Sequence, residues 1–361
     1  MLHTPLCAQL GIAYPILSVG MGPVAGPALA AAVSNAGGGG VLGGLFLPPP
    51  ALRQTIHRLR TLTAKPFGVN LILPLLLEGQ IDACLAERVP VLVLFWGDPR
   101  PYIAEAHRHA TKVFLQVGSV EEAVRAAEAG VDALIVQGVE AGGHVKSRTA
   151  LSTLVPAVVA AVAPVPVLAA GGIATGRGVV AALSLGAQAV SMGTRFLCST
   201  EACVTEAYQE RVVRSTAEDT VYTTLFDRGW PDAPHRVLRN RACAEWEAAG
   251  RPASGQRPGE GTIVGTVSVA GTTVEVPKYG AIPPITGFNG DVESVALYAG
   301  ESCSLIHDIK PAAQIVQDTM REAEEIMAHL QRCRHDTSQA MGEGRILPGS
   351  SHRVQATAKS D

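Results

Sequence analysis

Eight short apolar runs recur along the first 200 residues, at 14–19, 40–44, 67–72, 90–95, 112–117, 132–137, 165–170 and 188–193. They are near-continuously apolar rather than alternating, the pattern of strands whose outer face is covered by helices. Helical stretches separate them at 26–36, 50–63, 76–88, 100–110, 119–129, 149–163 and 175–185, with an eighth starting near 199. Ser119 followed by Glu122 reads as a capping box, and Gly186 as a C-terminal stop. Eight strands alternating with helices is the count that a closed parallel (β/α)8 barrel needs. A doubly wound open sheet gives a similar alternation, so periodicity alone does not close the ring.

Beyond residue 200 the pattern changes. Residues 205–250 carry many charges and read as helical pieces; 251–262 are rich in Gly, Pro and Arg; 263–276 alternate weakly and read as a hairpin. The division expected is a barrel over 1–200, a smaller lobe over 201–310 covering the barrel mouth, a helix over 311–334 returning to the barrel, and a polar, disordered tail over 335–361.

Composition narrows the chemistry. The 361 residues are enough for a barrel of about 250 residues plus an inserted or appended segment. Hydrophobic residues make up 47% but aromatics only 4%, so the core must be built from Ala, Val, Leu and Ile. A net charge of -3 gives no basis for a nucleic-acid or anionic-membrane partner. The seven cysteines form no Cys-x-x-Cys pair, so neither a metal site nor a disulfide framework is expected, and a reducing cytoplasm fits. No signal peptide is read at the amino terminus, and no apolar stretch free of Gly, Pro and charge reaches membrane-spanning length.

The candidate chemistry lies at the carboxyl ends of the expected strands, where barrel active sites sit. Gly20, Met21 and Gly22 end the first strand, and Asn70 lies in the third. Gln137 ends the sixth and leads into Glu140-Ala141-Gly142-Gly143-His144. Gly171 and Gly172 follow the seventh; Ser191 to Thr194, with Met192 and Gly193, form the end of the eighth. Glycine-rich turns after the last two strands offer backbone N–H groups to a phosphate. Neither turn is a P-loop or a dinucleotide fingerprint. His144 titrates near neutral pH as a free side chain and is the residue expected to handle a proton. Gln116, at the end of the fifth strand, leaves the role of a cation there unassigned. His3, His57, His107, His109, His235 and His307 lack ligand spacing and read as surface or packing residues.

These motifs, together with Pro15 to Gly22, Phe67 to Leu71, Trp230 to Asn240, Tyr298-Ala299-Gly300 and Ile306 to Pro311, resemble the nitronate monooxygenase family, formerly 2-nitropropane dioxygenases. The resemblance implies an FMN-dependent TIM barrel that oxidises alkyl nitronates or nitroalkanes with O2. It implies FMN contacts at Asn70, Gln137, Gly142, Gly172 and Ser191 to Thr194. His144 would then act as a base toward a neutral nitroalkane or position the anionic nitronate. Flavin-dependent enoyl-thioester reductases share the Glu-Ala-Gly-Gly-His turn, and some members resemble NADH:quinone reductases, so these alternatives stay open. A barrel of the inosine monophosphate dehydrogenase type is set aside, because residues 138–148 contain no cysteine. A flavin-storing barrel without catalysis, the use of NAD(P)H and a homodimeric state are left undecided by sequence.

Overall fold

The computed structural model describes residues 2–269 and 272–342. Eight parallel strands form the barrel: β1 (Ile16–Ser18), β2 (Gly40–Gly43), β3 (Phe67–Ile72), β4 (Val91–Phe95), β5 (Lys112–Val117), β6 (Ala133–Gln137), β8 (Val167–Ala170) and β9 (Ala189–Met192), with a two-residue strand β7 (Gly143–His144) outside the ring. Each pairs in parallel with its chain neighbour, and β1 pairs with β9. The ring closes between β1 and β2, where Ser18 N–H donates to Gly39 O at 3.0 Å and Gly39 N–H to Ile16 O at 2.9 Å. Glycine is required at the start of β2: a Cβ on Gly40 would lie 1.8 Å from the Ala30 carbonyl oxygen of the packed helix.

The period of two divides the strand side chains between two cores. Leu17, Val41, Val93, Phe114, Ile135, Leu168 and Ala189 point inward. The lower end is plugged by the helix Pro5–Leu10 through Leu6, Cys7 and Leu10. Thr4 Oγ1 donates to Gln188 O at 2.7 Å and Leu6 N–H to Gln188 Oε1 at 3.0 Å, which fixes the plug beneath β9. Phe114 is the one aromatic in this interior cluster, in keeping with the aromatic-poor composition. The alternate residues, among them Leu42, Val69, Leu92, Leu115, Val136 and Val190, pack outward against the helices. Ser119 Oγ accepts the Glu122 N–H at 3.2 Å, but the Glu122 carboxylate reaches Gly118 N–H at 2.8 Å, so the expected capping box is half formed.

The last βα unit departs from expectation. No long helix starts near 199; only Thr194–Leu197 follows β9. The eighth helix of the ring is Ala312–Gly342, and Ala312, Ile315, Val316, Met320 and Ala323 join the barrel's outer core. It packs between the helices Gly176–Ser184 and Pro27–Asn35. The lobe is therefore an insertion inside the eighth unit. The helix also runs further than 311–334, taking in the first part of the stretch expected to be a tail; residues 343–361 lie outside the described residues.

Within the lobe, the charged stretch 205–250 is not all helix. It holds helices Glu206–Val213 and Arg241–Ala248, and between them β10 (Thr220–Thr223) and β11 (His235–Leu238). The hairpin is β12 (Ile263–Val269) with β13 (Thr272–Pro277), joined by β14 (Phe288–Gly290). Barrel and lobe are sewn together: β7 adds to β11 as a third antiparallel strand, pairing His144 with His235. No disulfide joins the cysteines of the described residues. No helix among the described residues is long and apolar enough to cross a membrane.

Arg195 anchors the lobe's return. Its guanidinium donates to Asp308 Oδ1 at 2.8 Å, Asp308 O at 2.7 Å and Cys198 O at 3.0 Å, with its side chain 6% exposed. Arg195→Met keeps most of the volume and removes all three bonds. The expected result is a loss of about 2–4 kcal/mol in urea unfolding, with the barrel's far-ultraviolet circular dichroism retained.

Candidate active site

The mouth of the barrel has a glycine half and an aromatic half. The glycine half is built by β1, β8 and β9. Gly171 (φ 110) and Gly172 (φ 69) both lie in the left-handed region that favours glycine. A Cβ on Gly172 meets nothing nearer than 3.8 Å, and one on Gly193 would touch only Val19 and Met21 at 3.8–3.9 Å. Among the described residues, the amides of Gly172, Ile173, Gly193 and Thr194 donate to no protein acceptor. The following helix, by contrast, already has its anion: Glu322 accepts from Gly176 N–H at 2.8 Å.

The neighbouring site residues fall into three groups. Met21 packs between the two cores beside the Gly193 turn, while Gly20 faces Asn70 so closely that a Cβ would sit 2.2 Å from Asn70 Cβ. Asn70 is buried and donates from Nδ2 to Val93 O at 3.1 Å. Ser191 is buried in β9 beside Leu17 and Ala170, and Gly22 turns the chain at φ 53. Met192 stands apart: its side chain is packed in the outer core and its carbonyl accepts from Val19 N–H at 3.2 Å. Gly142 is required to be glycine by packing, because a Cβ there would strike Gly300 N at 2.3 Å. That contact explains the Tyr298-Ala299-Gly300 block. Gly300 N–H donates to Thr194 Oγ1 at 3.0 Å and Glu301 N–H to Glu140 O at 2.9 Å, so one lobe segment clasps the turns after β6 and β9. Arg236 of β11 adds bonds to Val139 O at 2.9 and 3.2 Å.

The aromatic half centres on His144. Its ring stacks on Trp230 (centroids 4.2 Å, 29°) and neighbours His235 at 5.4 Å, Tyr298 at 5.5 Å and Trp96 at 6.4 Å. Its Nε2 is buried and has no hydrogen-bond partner, and neither has Oε1 of Gln137, whose Nε2 donates to His144 O at 3.0 Å. Burial first, and then His235, pushes the His144 pKa down to about 3. His235 is a buried packing residue whose tautomer is set: Nε2 accepts from Phe226 N–H at 3.2 Å, so Nδ1 donates to Ala233 O at 2.9 Å. Burial lowers its pKa to about 4.

Sequence reasoning passed over Trp96 and assigned no role to Trp230. Trp96 follows β4 with φ 63, a conformation that costs a bulky residue about 1–2 kcal/mol. A tryptophan in a charged or loop context carries no sequence mark of that geometry. A cation also reaches this side of the mouth: Lys146 Nζ lies 5.4 Å over the Trp96 ring and pairs with Glu122. A cavity of about 490 Å³ opens elsewhere, between Arg148 and the lobe residues Tyr222, Trp246 and Arg251; it shares no residue with the glycine turns or the His144 cluster.

The two buried neutral histidines fix a pH dependence. The unfolded chain binds their protons near pH 6.5 and the folded one only near 3–4. Stability is therefore full above about pH 6.5 and falls as pH drops toward 4, with a slope of up to about 1.4 kcal/mol per unit per histidine. Urea midpoints between pH 7.5 and 4.5 should show this, and His235→Gln should flatten the slope by about half.

A parallel barrel with open glycine turns after its seventh and eighth strands and a histidine after its sixth fits the class of barrel enzymes that hold a phosphate-bearing ligand at the carboxyl ends of the strands. The nitronate monooxygenase family model matches residues 3–81 and 76–322, and the chain belongs to that family. It is 31% identical over 360 residues to the (3aS,4S,5R,7aS)-5-hydroxy-7a-methyl-1-oxo-octahydro-1H-indene-4-carboxyl-CoA dehydrogenase of Mycobacterium tuberculosis, covering 91% of this chain and 98% of that one. It is 35% identical to nitronate monooxygenase npaC of Metarhizium robertsii, covering 87% and 93%. The structure of FabK from Thermotoga maritima superposes with a TM-score of 0.78 at 35% identity, covering 92% of this chain and 99% of that one.

The chain is thus an enzyme, a flavin-dependent oxidoreductase on a TIM barrel, with FMN as cofactor. The residues fit that group. The unengaged amides and open turns at Gly172 and Gly193 suit its phosphate, and the unpartnered Gln137 Oε1 and His144 Nε2 suit a polar ring between the two halves of the mouth.

Proposed function

We propose that the enzyme oxidises alkyl nitronates, with O2 as the final electron acceptor. FMN, when bound, supplies the electron transfer between substrate and oxygen. The protein's part is to hold and orient. Gly171, Gly172, Gly193 and Thr194 hold the phosphate, Gln137 and Asn70 face the ring, and Gly20, Met21 and Gly22 wall the turn beneath it. His144 presents Nε2 to the nitro group.

The single observation carrying this reading is the buried Nε2 of His144, which has no hydrogen-bond partner at the barrel mouth. A neutral imidazole with pKa about 3 is a weak base, so it is poorly matched to removing a proton from a neutral nitroalkane. It is well matched to a substrate that arrives deprotonated, to whose oxygens a neutral N–H donates. The buried, unpartnered Nε2 is where that bond would form. The likeness to nitronate monooxygenase npaC supports the same substrate class.

A second reading is reduction of an enoyl thioester by NAD(P)H through the same FMN. It is favoured by the near full-length likeness to FabK and to the carboxyl-CoA dehydrogenase. Anaerobic mixing separates the two. Ethyl nitronate should bleach the flavin without pyridine nucleotide, and air should restore the colour with nitrite formed. Bleaching by NADH alone, reversed by an enoyl thioester, would overturn the nitronate reading.

A further inference from the structure

We propose that the cavity of about 490 Å³ between Arg148 and the lobe is a second ligand site, built for a nucleoside phosphate. It lies apart from the glycine turns and does not rest on the nitronate reading.

Size and charge give the first half of the argument. The volume falls in the range of about 300–1,000 Å³ typical of small-molecule pockets, more than a bare phosphate ion fills. Three guanidiniums at and beside the cavity, those of Arg148, Arg239 and Arg251, stand against two carboxylates, those of Glu247 and Asp232. Glu247 is already taken: it pairs with Arg239 and, at 3.1 Å, with Arg251. The Arg148 side chain enters no ion pair or hydrogen bond among the described residues, so its whole guanidinium fork is open to an anion. The Asp232 carboxylate is likewise without a protein donor among them. A bare anion has nothing to give Asp232, whereas a nucleoside phosphate brings sugar hydroxyl donors together with its charge.

The aromatic walls give the second half. Trp246 and Tyr222 both line the cavity, and the polar tip of each is engaged elsewhere. Trp246 Nε1 donates to Pro252 O at 2.9 Å, and Tyr222 Oη to Val145 O at 3.1 Å. Ring surface is what remains for a ligand, and it suits a planar base. The Arg251 guanidinium lies 5.7 Å from the Trp246 centroid, so cation and ring stand side by side, as phosphate and base do in a nucleotide. The cavity also touches the backbone that carries His144. Tyr222 and Pro234, both in its wall, hold Val145, whose N–H donates to Pro234 O at 2.8 Å.

Calorimetric titration of the FMN-loaded enzyme at low salt, with AMP, adenosine and inorganic phosphate, tests the site. AMP should bind once per chain, at least tenfold tighter than either adenosine or phosphate, with the flavin absorbance retained. Arg148→Gln alters an exposed side chain that bonds to nothing, so the fold should persist while AMP binding weakens at least tenfold and adenosine binding stays unchanged. Trp246→Leu should weaken AMP and adenosine alike, and Trp246→Phe should restore part of the loss. Coenzyme A and NADPH carry the same nucleotide chemistry. Tighter binding of one of them than of AMP, lost in Arg148→Gln, would name it as the source; tighter binding of AMP than of both would name a free nucleotide. Absence of AMP binding, equal binding of AMP and adenosine, or an affinity unmoved by Arg148→Gln overturns the proposal. Release of flavin by AMP does so too, since it would place the nucleotide in the glycine turns. Bleaching of the flavin by ethyl nitronate, or its failure, leaves this result standing.

Discussion

His144→Asn is expected to lower kcat/KM for an alkyl nitronate by about 100-fold or more, with FMN retained. The side chain offers one donor at the mouth, and loss of one positioned donor to a negative oxygen typically costs a factor of about 100 to 1,000. Asparagine is polar but shorter, and it cannot hold the 4.2 Å stack on Trp230 that aims the ring. The charge of the substrate decides how the loss is distributed. If His144 serves as an orienting donor, turnover of the nitronate falls and the neutral nitroalkane is a poor substrate from the start. If it serves as a base, the neutral nitroalkane suffers at least about tenfold more than the nitronate, or about 1.4 kcal/mol in barrier. The pKa of about 3 places the expectation with the first outcome. Steady-state oxygen uptake on both substrates measures the ratio, and no loss on either would return His144 to a packing role.

Colourless, folded protein is the expected product of Gly193→Leu. The residue sits at φ -102, so leucine adds no left-handed strain, and its first carbon meets only Val19 and Met21 at ordinary contact distance. The added bulk falls on the turn whose amide is unengaged, where the FMN phosphate is proposed to lie. Gly172→Leu should lose the flavin too, with an added stability cost of about 1 kcal/mol for its φ of 69. Visible absorbance reads flavin content and circular dichroism reads the fold. Full flavin content in both variants would remove the phosphate from these turns.

The barrel was legible because its strands are short, apolar and covered on both faces. The boundaries expected at 67–72 and 112–117 are those observed, and the rest differ by one or two residues at either end. The helix between β8 and β9 was legible from its closing glycine, and the hairpin near 263–276 from its alternation. The lobe was less so. β10 and β11 are four residues each, β10 with two threonines and a tyrosine and β11 with His235 and Arg236, so their polar positions hid them among helical neighbours. The helix over 311–334 was expected to return to the barrel, but its place as the eighth of the ring was hidden, since nothing local to 312–342 says that it packs between 176–184 and 27–35.

The site divides in the same way. Local backbone chemistry determined the glycine turns, because a turn that must lie open or adopt positive φ leaves a glycine in the sequence. The histidine after β6 was marked by its place in that pattern. Tertiary structure alone decided the rest. The protonation state of His144 depends first on its burial and then on His235, ninety-one residues away and brought opposite it by the pairing of β7 with β11. The glycine at 142 answers to Gly300, and Trp96 meets Trp230 only once the lobe folds back over the mouth. Burial, desolvation and ring stacking are properties of what surrounds a side chain, and a one-dimensional pattern records only what precedes and follows it.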